Sequence, residues 1–265
     1  VMNLADMNFG QRIAYLLQQY GTSYLKGAGT TLVIAIIATI IGCIIGLAIG
    51  IVQTIPEDKK RDSLPKRIIL KLVKIILKIY VEVFRGTPMI VQAVFIYYGA
   101  SQLFNIQMGM WQSAFIIVSI NTGAYMAESV RGGIISIDPG QMEGAKAIGM
   151  NHFQAMTNVI LPQAFRNILP QIGNNLIINI KDTSVLSVIG ITELFFVHKS
   201  VAGALYTYFE SATIVMIIYL IMTLISSRLL NLWERALDGN DSYEVVDNMD
   251  IGTQLGSKKA TREGR

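Results

Sequence analysis

The sequence predicts an all-α polytopic membrane protein of five transmembrane helices, with the N-terminus outside and the C-terminus cytoplasmic. A short polar helix pair is expected in the cytoplasm between spans 3 and 4. Three observations carry this. Of 265 residues, 52% are hydrophobic and 15% charged, and the mean hydropathy is +0.48, a composition suited to lipid rather than water. Two stretches, 27–55 and 86–127, run for 29 and 42 residues without a charge. The short connection between them is rich in lysine and arginine, and such loops stay in the cytoplasm.

Composition also excludes some functions. The formal net charge is +4, and the basic residues gather in one loop instead of forming a stripe for nucleic acid. The one cysteine, Cys43, allows neither an intrachain disulfide nor a cysteine metal cluster.

Residues 1–26 form an amphipathic N-terminal segment. Ile13, Leu16, Leu17 and Tyr20 recur at helical spacing among Gln11, Arg12, Gln18 and Gln19, which predicts a helix lying on the membrane face. No basic n-region precedes the long apolar run, so a signal peptide is not expected. Residues 27–235 form the transmembrane domain. Its first span, 27–55, is longer than the roughly 30 Å hydrocarbon core requires at the helical rise of about 1.5 Å. Gly42, Gly46 and Gly50 recur in it every fourth residue, a pattern that permits close helix packing or a dimer contact.

The basic loop holds Lys59, Lys60, Arg61, Lys66, Arg67, Lys71, Lys74 and Lys78 against Glu57, Asp58 and Asp62. Its later lysines alternate with Ile68, Leu72, Ile75, Ile76 and Ile79 as on an amphipathic helix at the inner leaflet. Spans 2 and 3 are placed at 80–103 and 110–130, with a turn at 101–110. Arg85-Gly86-Thr87-Pro88 interrupts the second near its start.

At 138–162 a polar stretch follows. Asp138 suits an N-cap, Pro139 the first helical position, and Gln141 an Asp-x-x-Gln capping box. Gly149 is a natural stop and Asn151 a second N-cap. The expected object is two short helices around a glycine hinge, ending at Leu161-Pro162. The same spacing suits an ordinary helix-turn-helix between spans.

The fourth span, 163–191, is apolar yet places Gln171, Asn175, Asn179 and Asp182 on one stripe. In lipid such groups face a partner or a water-filled path. The fifth, 208–230, is followed by Trp233 as an interfacial anchor and by Arg228 and Arg235 on the inner side. Residues 236–265 lack periodicity and are expected to form a disordered cytoplasmic tail.

Chemistry is sparse. No GxxxxGK[ST] loop occurs, and His152 and His198 stand far apart without carboxylates at metal spacing, so neither ATP hydrolysis, a catalytic site nor a metal site is expected in this chain.

The stretch Glu143-Gly144-Ala145, three residues, Gly149, nine residues, Val159-x-Leu161-Pro162 resembles the coupling loop of ABC importer permeases, Glu-Ala-Ala, x3, Gly, x9, Ile-x-Leu-Pro. Gly144 stands where Ala is usual, and Val159 where Ile is. Glu82-Val83-Phe84-Arg85-Gly86-Thr87-Pro88, Tyr125 to Ile134 and Lys181-Asp182-Thr183-Ser184-Val185-Leu186 are similar to segments of the polar amino acid branch (type I importers, histidine/glutamine permease-like). These matches cover most of residues 20–235 in the family's order.

The resemblance implies a multi-pass permease subunit of the bacterial cytoplasmic (inner) membrane. It would dimerise with a second copy or a related permease, receive a polar amino acid from an extracytoplasmic binding protein, and contact membrane lipid. No cofactor is expected on this chain, ATP and Mg residing on partner ATPase subunits. A helix at 141–148 would dock on the ATPase, with Glu143, Gly144, Ala145, Gly149, Leu161 and Pro162 serving coupling. Asn121 and Glu128, seven apart on one helix face, with Asn175, Asn179 and Asp182, are candidates for the substrate path or for interhelical hydrogen bonding. The alternative function is a membrane channel or scaffold subunit without ATP-coupled transport.

Overall fold

A computed structural model describes residues 7–56 and 63–238, the side chains only to 234 within the last helix. The chain divides into two units, Val1–Glu234 and Arg235–Arg265, and the account below concerns the first. Every regular element among the described residues is helical. The expected disordered tail falls almost wholly outside the described residues, as do Lys59, Lys60, Arg61 and the three acids of the basic loop.

Helix α1, Phe9–Thr54, is one 46-residue helix, roughly 70 Å long at the helical rise. No boundary separates the amphipathic segment from the first span. Residues 9–25 are helical as their spacing predicts, but they pack on other helices instead of forming a separate segment. Leu16 and Tyr24 are buried with Leu194, Ile214 and Val215, Tyr24 Oη lies 2.7 Å from Ser211 Oγ, and Arg12 donates to Glu210 at 3.0 Å. These contacts draw the helix on through Gly21, Gly27 and Gly29.

The glycine stripe is resolved in favour of packing within the chain, where α1 lies along α4 (Met110–Ile135). A Cβ at Gly42 would come 2.6 Å from Thr122 Cβ, one at Gly50 2.6 Å from Val130 Cβ, and one at Gly46 would overlap Met126. Such absent side chains let two backbones approach closely.

The stretch expected as the second span is split where the sequence signals a break. α2, Leu64–Gly86, stops before Thr87-Pro88, and α3, Met89–Phe104, begins after Pro88. At 16 residues, α3 is only about 24 Å long, less than the hydrocarbon core. α4 extends the expected third span to Ile135 and buries Ser113, Ser119, Asn121 and Thr122 among its neighbours.

The polar stretch contains α5, Pro139–Ala147, and α6, His152–Ala155. The second of these does not end at Leu161-Pro162. A π turn, Met156–Ile160, joins it to α7, Leu161–Asp182. Pro162 has no N–H and its ring crowds the carbonyl four residues back, and a widened turn relieves this without ending the helix.

α7 runs into a 3₁₀ segment, Thr183–Ile189. Then comes α8, Leu194–Leu205, between the expected fourth and fifth spans, and α9, Tyr208–Asp238. The axis bends by 52° between His152–Ile189 and Leu194–Leu205. Among the described residues, Phe9–Thr54 and Tyr208–Glu234 are long and apolar enough to cross a membrane, and the bent pair adds a third if it is one span. Three apolar clusters hold the bundle: α1 with α8 and α9, the α3–α4 pair with the 3₁₀ segment, and the C-terminal end of α4 with the π turn and α7.

Candidate functional site

Three polar features stand out in this apolar frame: the bracket at 138–162, a hydrogen-bonded layer inside the bundle, and a charged groove between α1, α2 and α4.

The first helix of the bracket is closed by a side chain at its start and by backbone at its end. Asp138 Oδ1 accepts from Gly140 N at 2.7 Å, capping α5. The expected capping box does not form here, because Gln141 Oε1 turns to accept from Gln163 Nε2 at 3.3 Å. At the other end Met150 N donates to Ala145 O at 3.1 Å and Gly149 N to Lys146 O at 3.0 Å. With Gly149 at φ +89° this is a Schellman closure. The reciprocal capping box belongs to α6: Asn151 Oδ1 accepts from Gln154 N at 2.9 Å, and Gln154 Oε1 from Asn151 N at 3.0 Å.

Ala145 is buried, and Met156 and Ile160 pack against Met126, Val130 and Ile134 of α4. Glu143 and Gly144 face outward, and Ile148 and Phe153 are each 75% exposed. Leu161 is half-buried against the α4 cluster, while Pro162 is exposed in the first turn of α7. The six residues proposed from the sequence for coupling therefore divide into an outward set and an anchoring set. His152 Nδ1 is buried without a hydrogen-bond partner among the described residues. Burial, and then the nearby Lys146 ammonium, hold its imidazole below the usual histidine pKa.

Inside the bundle the asparagines tie helices together. Asn121 Nδ2 donates to Phe84 O at 3.1 Å and Gln92 Oε1 at 3.0 Å. Gln92 Nε2 donates to Phe84 O and Thr87 O, both at 2.9 Å, so this pair satisfies carbonyls freed by the α2–α3 break. Asn179 Nδ2 donates to Thr39 Oγ1 at 2.7 Å and Thr122 Oγ1 at 2.9 Å, joining α7, α1 and α4. Asn175 Nδ2 donates to Gln171 O at 2.8 Å and approaches Met126 Sδ at 3.3 Å.

Asp182 differs from the asparagines. It is half-buried and makes no ion pair among the described residues, with Lys181 or otherwise. Of the five path candidates, Glu128 lines a described cavity.

Glu128 lies in the groove, whose volume is about 520 Å³. Arg131 grips its two oxygens at 2.5 and 3.1 Å, and Arg85 Nη1 stands 4.0 Å away. Arg85 also lies over the Tyr125 ring, 5.6 Å from its centre. Asn121 and Glu128 do share one face of α4, the face toward the end of α2.

Sequence reasoning missed Gln92 and Glu193. Glu193 is fully buried and caps α8, accepting from Phe195 N at 2.8 Å, Phe196 N at 2.6 Å and Tyr219 Oη at 3.0 Å. A carboxylate directly before the apolar run Leu194-Phe195-Phe196 was its available signal. Among the described residues, no group of three His, Cys, Asp or Glu is placed to hold a metal.

Comparison with known proteins adds three kinds of likeness. The family profile described as binding-protein-dependent transport system inner membrane component matches residues 67–239. The probable amino-acid permease protein YxeN of Bacillus subtilis is 41% identical over 162 residues, covering 60% of this chain and 72% of the relative. The arginine transport system permease protein ArtQ of the same organism is 37% identical over 182 residues, covering 66% of this chain and 83% of the relative. The glutamine transport system permease protein GlnP of Escherichia coli is 39% identical over 160 residues, covering 60% and 73%. A crystal structure of an amino acid ABC transporter with histidines superposes with a TM-score of 0.74 at 36% identity, covering 87% of this chain and 99% of that one. An inward-facing MetNI methionine ABC transporter shares the fold at a TM-score of 0.65 and 19% identity, covering 80% and 94%.

Proposed function

The chain belongs to the family of binding-protein-dependent transport system inner membrane components, and on that premise we propose that it is the permease subunit of an ATP-driven importer of polar amino acids. The observation that carries the coupling part of this reading is the bracket. α5 is capped at both ends and packed on the π turn, which shares one apolar cluster with α4 and α7, and α6 continues through the π turn into α7. A push on the exposed Glu143, Gly144 and Ile148 therefore reaches two membrane helices without being lost in a slack loop. Ala145, Gly149, Leu161 and Pro162 set the bracket's shape.

In this reading the bracket lies in the cytoplasm and docks on an ATPase subunit that holds ATP and Mg. Five crossings, with α2–α3 as the second, put the N-terminus outside and the C-terminus inside. A second permease, identical or related, completes the membrane unit, and an extracytoplasmic amino-acid-binding protein delivers substrate. The chain itself hydrolyses nothing. Glu128 and Asp182, both only half-buried, are the path candidates, and Asn121, Asn175 and Asn179 act as positioning residues that hold its walls. The amino-acid substrate rests on the relatives' descriptions as an amino-acid, an arginine and a glutamine permease.

The test is reconstitution with the cognate ATPase and binding protein in proteoliposomes. Glu143→Lys is expected to abolish stimulated ATP hydrolysis and uptake while membrane insertion and Tm stay unchanged. Uptake that persists in this variant, or without ATP, would instead favour a channel or scaffold. ATP turnover by the purified chain alone would overturn the assignment.

A further inference from the structure

We propose that the groove between α1, α2 and α4 binds the phosphate of an anionic phospholipid of the inner leaflet, whose acyl chains lie along the uncovered apolar side of α2. The leaflet assignment rests on the topology proposed above. Arg131, at the groove's edge, lies about one turn before the end of α4, where the chain enters the bracket.

Charge is the first support. Lys74, Lys78, Arg85 and Arg131 line the groove against Glu82 and Glu128. Both carboxylates are already engaged: Glu128 by Arg131 and Arg85, Glu82 by Lys78 at 3.6 Å. Lys74 Nζ meets only the Ile55 carbonyl, at 2.5 Å, so its charge has no carboxylate counterpart among the described residues. A phosphodiester anion would supply that counterpart, and its two free oxygens suit an ammonium and a guanidinium together.

Shape and hydrophobicity are the second. The groove's volume of about 520 Å³ accommodates a headgroup. Among the described residues α2 buries Val81 alone, and Ile68, Leu72, Ile75, Ile76 and Ile79 are between 47% and 59% exposed. Their neighbour in a membrane protein is hydrocarbon. A free anion would satisfy the groove and leave these side chains bare, whereas a partner helix would cover them and leave the cations unmatched. A lipid answers both at once.

The test uses the permease–ATPase complex in nanodiscs of equal parts phosphatidylglycerol and phosphatidylcholine, with retained lipid counted by native mass spectrometry. Wild type is expected to keep phosphatidylglycerol selectively. Lys74→Gln combined with Lys78→Gln should lower that selectivity by about tenfold or more. Lys66→Gln with Lys71→Gln, the same charge change on the same helix outside the groove, should stay within about threefold of wild type. Should the groove double variant misfold, Lys78→Gln alone, at a side chain 75% exposed, is expected to give a drop of at least about threefold. Undiminished selectivity in the groove variants overturns the site. Equal loss in both double variants reduces it to general surface charge. Displacement of the lipid by millimolar inorganic phosphate makes it a soluble-anion site and overturns the lipid.

Discussion

Asn179 Nδ2 lies 2.7 Å from Thr39 Oγ1, a bond that spans 140 positions of sequence and ties α7 to α1. Thr39 Oγ1 donates its own hydrogen bond to Ala35 O at 2.6 Å, so its hydroxyl both donates and accepts. The carboxamide is thus committed to holding helices, and in lipid such a bond is worth about 0.6 kcal/mol on average and up to ~1.7.

Asn179→Leu and Thr39→Val are each expected to lower thermal stability by about that amount. The double variant should lose less than the sum, since the two residues share one bond. Additive losses in melting experiments on the purified complex would show that the contact carries no coupling energy.

Gly46 is where α1 tolerates no side chain, because a Cβ there would overlap Met126. Gly46→Ala should cost about 1–3 kcal/mol, as overpacking does. Gly99→Ala, in α3 with nothing within 4 Å of the added carbon, should be neutral or stabilise by up to about 1 kcal/mol. A melting comparison of the pair separates close packing from helix propensity.

At the bracket hinge, Gly149 sits at φ +89°, a conformation that costs other residues about 1–2 kcal/mol. Gly149→Ala should weaken the Schellman closure and reduce stimulated ATP hydrolysis in the reconstituted transporter without reducing membrane insertion. Gly144→Ala, inside α5 with open space around it, should instead firm the helix and preserve coupling. Equal coupling in the two variants would argue against a mechanical role for the hinge.

The bracket should also respond to pH through His152, whose pKa is held down by burial and then by Lys146. The unfolded bracket takes up a proton near the ordinary histidine value of about 6.5, before the folded one does. Stability is therefore complete above that value and declines as the pH falls toward the lower folded pKa. Faster amide exchange across residues 139–160 at about pH 5.5 than at about pH 7.5, after correction for the intrinsic rate, is the expected result. His152→Gln should remove the difference.

Much of the fold was legible because its signals are local. The break at Thr87-Pro88, the N-caps Asp138 and Asn151 and the stop at Gly149 each depend on a few neighbouring residues, and each appears where the sequence places it. The Gln141 capping box failed because a distant partner, Gln163, competed for the same side chain. The π turn was hidden because Pro162 reads equally as a stop or as the first turn of the next helix. α8 was missed because it is short and turns by 52° from its predecessor, so its apolar residues carried no span-length signal.

By itself, the sequence determined that this chain is helical and membrane-bound, that it breaks at Thr87-Pro88, and that one polar bracket interrupts the apolar run, since charge and hydropathy act along the chain. Tertiary structure alone decided that α1 continues through its first glycines to pack on α8 and α9, and that Gly42, Gly46 and Gly50 serve α4 rather than another chain. It also decided that Asn121 and Asn179 hold helices while Glu128 faces a groove of cations. Those outcomes depend on which side chains meet across 29 to 198 positions of separation, and spacing along one helix gives its face without naming what lies opposite.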